Sequence, residues 1–187
     1  MINKVIIPNL GEDKSRLLIA INQADQAMKG RHWNDDANQP EQKLIDFLNE
    51  KVDSTKQRIY EATKVNVEPI YYAAGYKDGD EQQYPWNLSK LLAHILKHTP
   101  QKKRILISQP LNDNPKVWES DDRLEKYQEQ VRQNFLDSFI ANVSDGLGKA
   151  IKTVSDIAST AINVGKTIVS TASTIISSVG SFFRGLW

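Results

Sequence analysis

Two continuous apolar runs stand out along the chain, Leu17-Leu18-Ile19-Ala20-Ile21 and Ile70-Tyr71-Tyr72-Ala73-Ala74. A run of this kind, unlike an alternating one, is what a parallel strand covered on both faces requires. Between them, Pro40 opens a helical pattern to about Thr63, with Leu44, Ile45, Leu48, Val52, Ile59 and Ala62 on one stripe. The intervening residues 26–39 are polar and loop-like, with Trp33 as an anchor. A second helical pattern from Asn87 to His98 places Leu88, Leu91, Leu92, Ile95 and Leu96 on one face and stops before Pro100. Strand, helix, strand, helix predicts a right-handed βαβ unit of a parallel sheet and its covering helix.

Beyond Pro100 the pattern loosens. Arg104-Ile105-Leu106-Ile107 reads as an extra strand or a packed loop, and Asp121 as the N-cap of a helix carrying Leu124, Tyr127, Val131, Phe135 and Phe139. From Leu147 a 4-3 spacing takes over (Leu147, Ile151, Val154, Ala158, Ala161, Gly165, Ile168), continuing to Leu186. It predicts a long amphipathic helical tail of about 60 Å, with Ser and Thr rather than charges opposite the apolar stripe. The expected organisation is therefore 1–100 for the sheet region, 101–144 for a helical extension and 145–187 for the tail. Three readings of the tail compete: packing on the body, self-association, or lying in a membrane interface with Phe182, Phe183 and Trp187 inserted.

Composition changes this picture little. The chain has 187 residues, no cysteine and a formal net charge of +1, which excludes a disulfide scaffold and thiol chemistry and gives no reason to expect nucleic acid as a partner. Only Val5-Ile6-Ile7 precede Pro8 as an apolar stretch, too short for a signal peptide, so the expected location is cytoplasmic, or peripheral to a membrane if the tail inserts.

In a doubly wound sheet, ligands bind at the carboxyl ends of the strands. Here these ends read Asn22-Gln23-Ala24-Asp25 and Ala73-Ala74-Gly75. The pair resembles the guanine-recognition motifs of the Era/TrmE-like GTPases, especially prophage-associated members of bacterial genomes. In that family Asn-Lys-x-Asp ends one strand and Ser-Ala-Lys follows one βαβ unit later. Asn22, Asp25 and Ala74 match; Gln23 stands for the lysine, Ala73 for the serine and Gly75 for the second lysine. The resemblance implies a partial P-loop-NTPase-type parallel sheet, a βαβα remnant that binds guanine nucleotide through Asn22, Gln23, Asp25 and Ala74. Asp25 would accept the N1–H and N2–H of guanine, the Asn22 amide would face the O6/N7 edge, and the Ala74 backbone N–H would donate to O6. Gln23 lacks the lysine's charge, and its shorter stem covers less of the purine face.

The family also needs a G-x-x-x-x-G-K-[ST] phosphate loop and an Asp-x-x-Gly that helps hold Mg²⁺, both ahead of the guanine motif. The 21 residues before Asn22 contain neither. The chain thus resembles the second half of a G domain and is not expected to hydrolyse GTP alone, as a truncated gene product or a fragment read from an internal start would not. The far side of the first strand is then an unpaired edge. Asn163-Val164-Gly165-Lys166-Thr167 imitates the end of a phosphate loop, but Thr160 occupies its first glycine position and no strand precedes it. His94 and His98 stand at i, i+4 without a third ligand near them in sequence, and read as a solvated helix face. No catalytic or metal-binding residue is assigned. The alternative function is a non-enzymatic interaction or membrane-surface module acting through the C-terminal helix.

Overall fold

The computed structural model describes residues 2–79, 81–108, 111–112, 114–122 and 126–146. The expectations for the 147–187 tail, for Leu124 and for the imitation phosphate loop fall outside them. The architecture is mixed α/β. A π-helical turn, Ile2–Ile6, and α1, Ile7–Asn9, lead to β1, Ala20–Ile21. A kinked 3₁₀ segment, Ala24–Gly30, precedes β2, Trp33–Asn34, and β3, Gln39–Pro40. Helix α2 spans Gln42–Thr63, and β4, Ile70–Tyr71, β5, Tyr76–Asp78, and β6, Glu81–Gln83, follow. The remaining helices are α3, Leu88–Lys97, α4, Arg104–Ile107, and α5, Tyr127–Gly146.

The βαβ expectation is met in its coarse form: β1 and β4 pair in parallel, Ala20 opposite Ile70 and Ile21 opposite Tyr71, with α2 between them in sequence. Burial of the two runs differs from the expectation. Ile70 and Tyr71 are buried, but Leu17, Leu18, Ile19 and Ile21 are only half-buried and Ala20 is exposed. The cause is pairing: among the described residues β1 has β4 as its sole strand neighbour. Helix α2 closes this sheet with Leu44 and Leu48, which form a core with Ala24, Tyr71, Ala73 and Trp86.

The start of α2 is a correction. Pro40 belongs to β3, paired antiparallel with Trp33, and Glu41 is the N-cap. The Glu41 N–H is drawn to His32 O at 2.8 Å, so the chain stays extended through 40 and turns helical only at Gln42. The charged loop after Gly75 is likewise a hairpin, with Tyr76, Lys77 and Asp78 opposite Gln83, Gln82 and Glu81. Gly79, at φ +57°, supplies the left-handed residue its tight turn needs.

The described residues divide into two compact units, one from 2–91 with Ser120–Asp122 and the other from 92–119 with 126–146. In the second unit the 104–107 segment is helical, and its backbone is held to α5: Ile105 N–H donates to Ser138 Oγ at 3.0 Å. Tyr127, Val131, Phe135 and Phe139 of α5 are buried, as their spacing predicts, and Leu136 is buried beside them. Asp121 does not cap this helix, which begins at Tyr127. Its neighbours are engaged elsewhere: Ser120 O accepts from Asn87 N–H, and Asp122 N–H donates to Asn87 Oδ1. His94 and His98 are half-buried rather than solvated, their rings tilted at 5.1 Å, centroid to centroid. No helix among the described residues is long and apolar enough to cross a membrane.

Candidate base-recognition site at the ends of the parallel strands

The parallel register sets the carboxyl ends of β1 and β4 side by side. Tyr72 N–H donates to Ile21 O at 2.9 Å, and Ala24 N–H donates to Tyr72 O at 3.1 Å. The second bond carries the ladder beyond β1 and ties the 22–25 turn to the backbone just before Ala74. Hydrogen-bonding groups alternate sides along an extended strand. Ile70 and Tyr72 face β1, Ala73 exchanges bonds with Trp86 on the other side, and Ala74 N–H falls next on the β1 side, beside the turn. Ala74 is exposed, and its N–H makes no hydrogen bond among the described residues.

Within the turn, Asn22 and Gln23 are exposed and Gln23 takes a left-handed backbone at φ +62°. The Asn22 Oδ1 accepts the Gln23 N–H at 2.7 Å, which commits the amide oxygen to the turn and leaves the Nδ2 donors without a partner among the described residues. Asp25 is 8% exposed, and its Oδ2 accepts from Gln26 Nε2 at 2.7 Å. No other hydrogen bond to this carboxylate forms among the described residues. A carboxylate with one neutral donor has acceptor capacity to spare.

Gly75 has a structural reason of its own. At φ +72° a Cβ would lie 2.8 Å from Pro85 N and 2.9 Å from the Tyr84 carbonyl carbon, and would meet Gln83 O more closely still. The position that is lysine in the resembled family is here filled by close backbone approach.

The support behind the β4 end combines tryptophans that read as packing anchors with polar residues missed from sequence alone. Trp86 is 1% exposed, stacked on Tyr71 (5.9 Å between ring centroids, 12° between planes) and edge-on to Trp33 at 5.6 Å. Asn87 is fully buried, Lys90 pairs with Asp122 at 2.6 Å, and the Lys90 ammonium lies 5.1 Å over the Tyr71 ring. The Tyr71 phenol donates to Asn49 Oδ1 at 3.2 Å. Burial, and after it the charge of Asp122, pushes the phenol above its ordinary value. In the sequence, Trp33 and Trp86 read as packing anchors and Asn87 as the start of a helical pattern; the buried amide of Asn87 and the Lys90–Asp122 pair carried no local signal.

No group of three or more His, Asp or Glu side chains able to hold a metal ion occurs among the described residues. No family model, curated protein or solved structure matches the chain.

Proposed function

We propose that the paired ends of β1 and β4 recognise a guanine base, and that this sheet is the guanine-reading half of a P-loop-NTPase-type G domain. The observation that carries the reading is the Ala24–Tyr72 bond at 3.1 Å, which sets the unbonded N–H of Ala74 on the same side as the 22–25 turn. Guanine offers two donors, N1–H and N2–H, and two acceptors, O6 and N7. The Asp25 carboxylate takes the donors, while the Ala74 N–H and the Asn22 amide supply O6 and N7. Adenine reverses the pattern at N1 and C6, so the Asp25 carboxylate and the Ala74 N–H would each meet a like partner, while N7, an acceptor in both purines, does not discriminate. Gln23 covers part of the purine face. The 187 residues contain no G-x-x-x-x-G-K-[ST] sequence. By themselves they bind the nucleotide through its base and do not hydrolyse GTP.

Titration calorimetry with GDP and ADP tests this. GDP is expected to bind in preference, and Asp25→Asn to lower that preference about 10- to 100-fold, the range for hydrogen bonds to a charged group. Binding of neither nucleotide at millimolar concentration, or of both equally, overturns it. The competing reading, a self-associating or membrane-surface module, rests on residues 145–187, of which only Asp145 and Gly146 lie in the described helix α5.

A further inference from the structure

The backbone at the end of β4 is held from the side opposite β1 as firmly as from β1 itself. Ala73 and Trp86 exchange two bonds, each 3.0 Å, and the Tyr71 carbonyl accepts from Asn87 Nδ2 at 3.3 Å. Asn87 is wholly buried and adopts a left-handed backbone at φ +59°. Its side chain is used at both ends. Oδ1 accepts the Asp122 N–H at 2.8 Å, and Nδ2 also reaches Asp122 Oδ2 at 3.4 Å. The Asn87 N–H donates to Ser120 O at 2.9 Å and its carbonyl accepts from Leu91 N–H at 3.0 Å. Asp122 is fixed in turn by Lys90 at 2.6 Å, where the two side chains are 19% and 7% exposed, Lys90 first. An amide with this many partners in a low-dielectric surrounding holds one orientation.

We infer that Asn87 is a positioning residue for base selection: by fixing the Tyr71 carbonyl it sets the height at which Ala74 presents its N–H to the C6 substituent of a purine. The inference rests on the base-recognition reading above and adds to it a residue that touches no ligand. Asn87 acts on the C6 edge alone, because Asp25, which reads the N1 and C2 edge, belongs to the other strand end. Three nucleotides separate the edges. GDP and IDP share O6 and N1–H, IDP lacks the 2-amino group, and ADP carries an amino group at C6.

Calorimetry is run with all three on the wild type, on Asn87→Gly and on Asp25→Asn. Glycine keeps the left-handed backbone without strain and removes only the amide. Asn87→Gly is expected to weaken GDP and IDP alike by about tenfold, the worth of one hydrogen bond, while ADP and the GDP-to-IDP ratio stay unchanged. Asp25→Asn is expected to lower the GDP-to-IDP ratio instead. Equal loss for all three nucleotides in Asn87→Gly makes Asn87 a general stabiliser and overturns the inference, while the wild-type preference leaves the base-recognition reading standing. Equal binding of GDP and ADP by the wild type overturns both. If Asn87→Gly lacks the wild-type circular dichroism, Asn87→Asp is read the same way. It keeps the acceptor for Asp122 N–H and removes the donor to Tyr71 O, and an unchanged preference for GDP over ADP in it overturns the inference.

Discussion

The two strand ends that meet at the candidate site are built in opposite ways. The β1 end is a turn in which Asn22 and Gln23 are exposed and Ala24 and Asp25 are buried, held by the Asn22–Gln23 contact and the Ala24–Tyr72 bond. The β4 end is bonded on both sides and backed by Trp86 and Asn87, which are 1% and 0% exposed. The contrast follows from what each end would contribute. Side chains such as Asn22 and Asp25 carry their chemistry with them and reach a ligand by rotating. A backbone N–H such as that of Ala74 has no freedom of its own, so the strand around it must be placed for it. The β4 end should therefore be intolerant of change and the β1 end permissive.

The largest effect expected is at Gly75. Gly75→Ala forces a side chain into the left-handed region and against Pro85 N at 2.8 Å and the Tyr84 carbonyl carbon at 2.9 Å, both backbone and unable to yield cheaply. Strain and overpacking together predict a loss of about 3 kcal/mol, read as a lower urea midpoint at unchanged slope. A loss below about 1 kcal/mol would show that the β4 end can shift, and the contrast with β1 would weaken.

A smaller effect is expected from pH. Burial first, and Asp122 second, raise the Tyr71 phenol above its ordinary value of 10.0. The folded chain then keeps a proton that the unfolded chain has begun to lose. Its contribution is present in full below the unfolded value, and stability falls as pH rises from about 10 through the folded value. Phenolate absorbance, with Tyr71→Phe to identify its signal among six tyrosines, should show Tyr71 titrating above its ordinary value. Asp122→Asn should bring it back part of the way, leaving the shift due to burial. No change in Asp122→Asn would mean that the carboxylate does not reach across the β4 end as its bonds to Asn87 and Lys90 imply.

The legible parts of this architecture were those written in local pattern. The 17–21 and 70–74 runs with the α2 stripe between them made two parallel neighbours expected, and parallel register alone then sets Asn22, Gln23 and Asp25 beside Ala74. The hairpin of β5 and β6 was not legible, because Tyr76–Asp78 and Glu81–Gln83 are almost wholly exposed and show no alternation of apolar and polar positions. The start of α5 was misplaced because Asp121 and Asp122 look like helix caps, whereas Asp122 is bonded to Asn87, 35 positions away. The support behind β4 was hidden for the same reason. A buried amide announces itself only through partners distant in sequence, and nothing local at Asn87 beyond the start of a helical pattern signals its role.

The smallest effect tests the permissive end. Gln23 is exposed and already left-handed at φ +62°, so Gln23→Lys asks the same backbone of another unbranched residue. Stability should stay within about 0.5 kcal/mol of wild type, the usual range for a surface change that removes no cap or contact. Affinity for GDP should rise about threefold, since the longer apolar stem covers more of the purine face and brings a cation over its π system. The same substitution should help ADP nearly as much, because stacking does not read the base edges. A gain confined to GDP would place Gln23 among the edge-reading groups, while a destabilisation beyond 1 kcal/mol would mean that the β1 end is held as tightly as the β4 end.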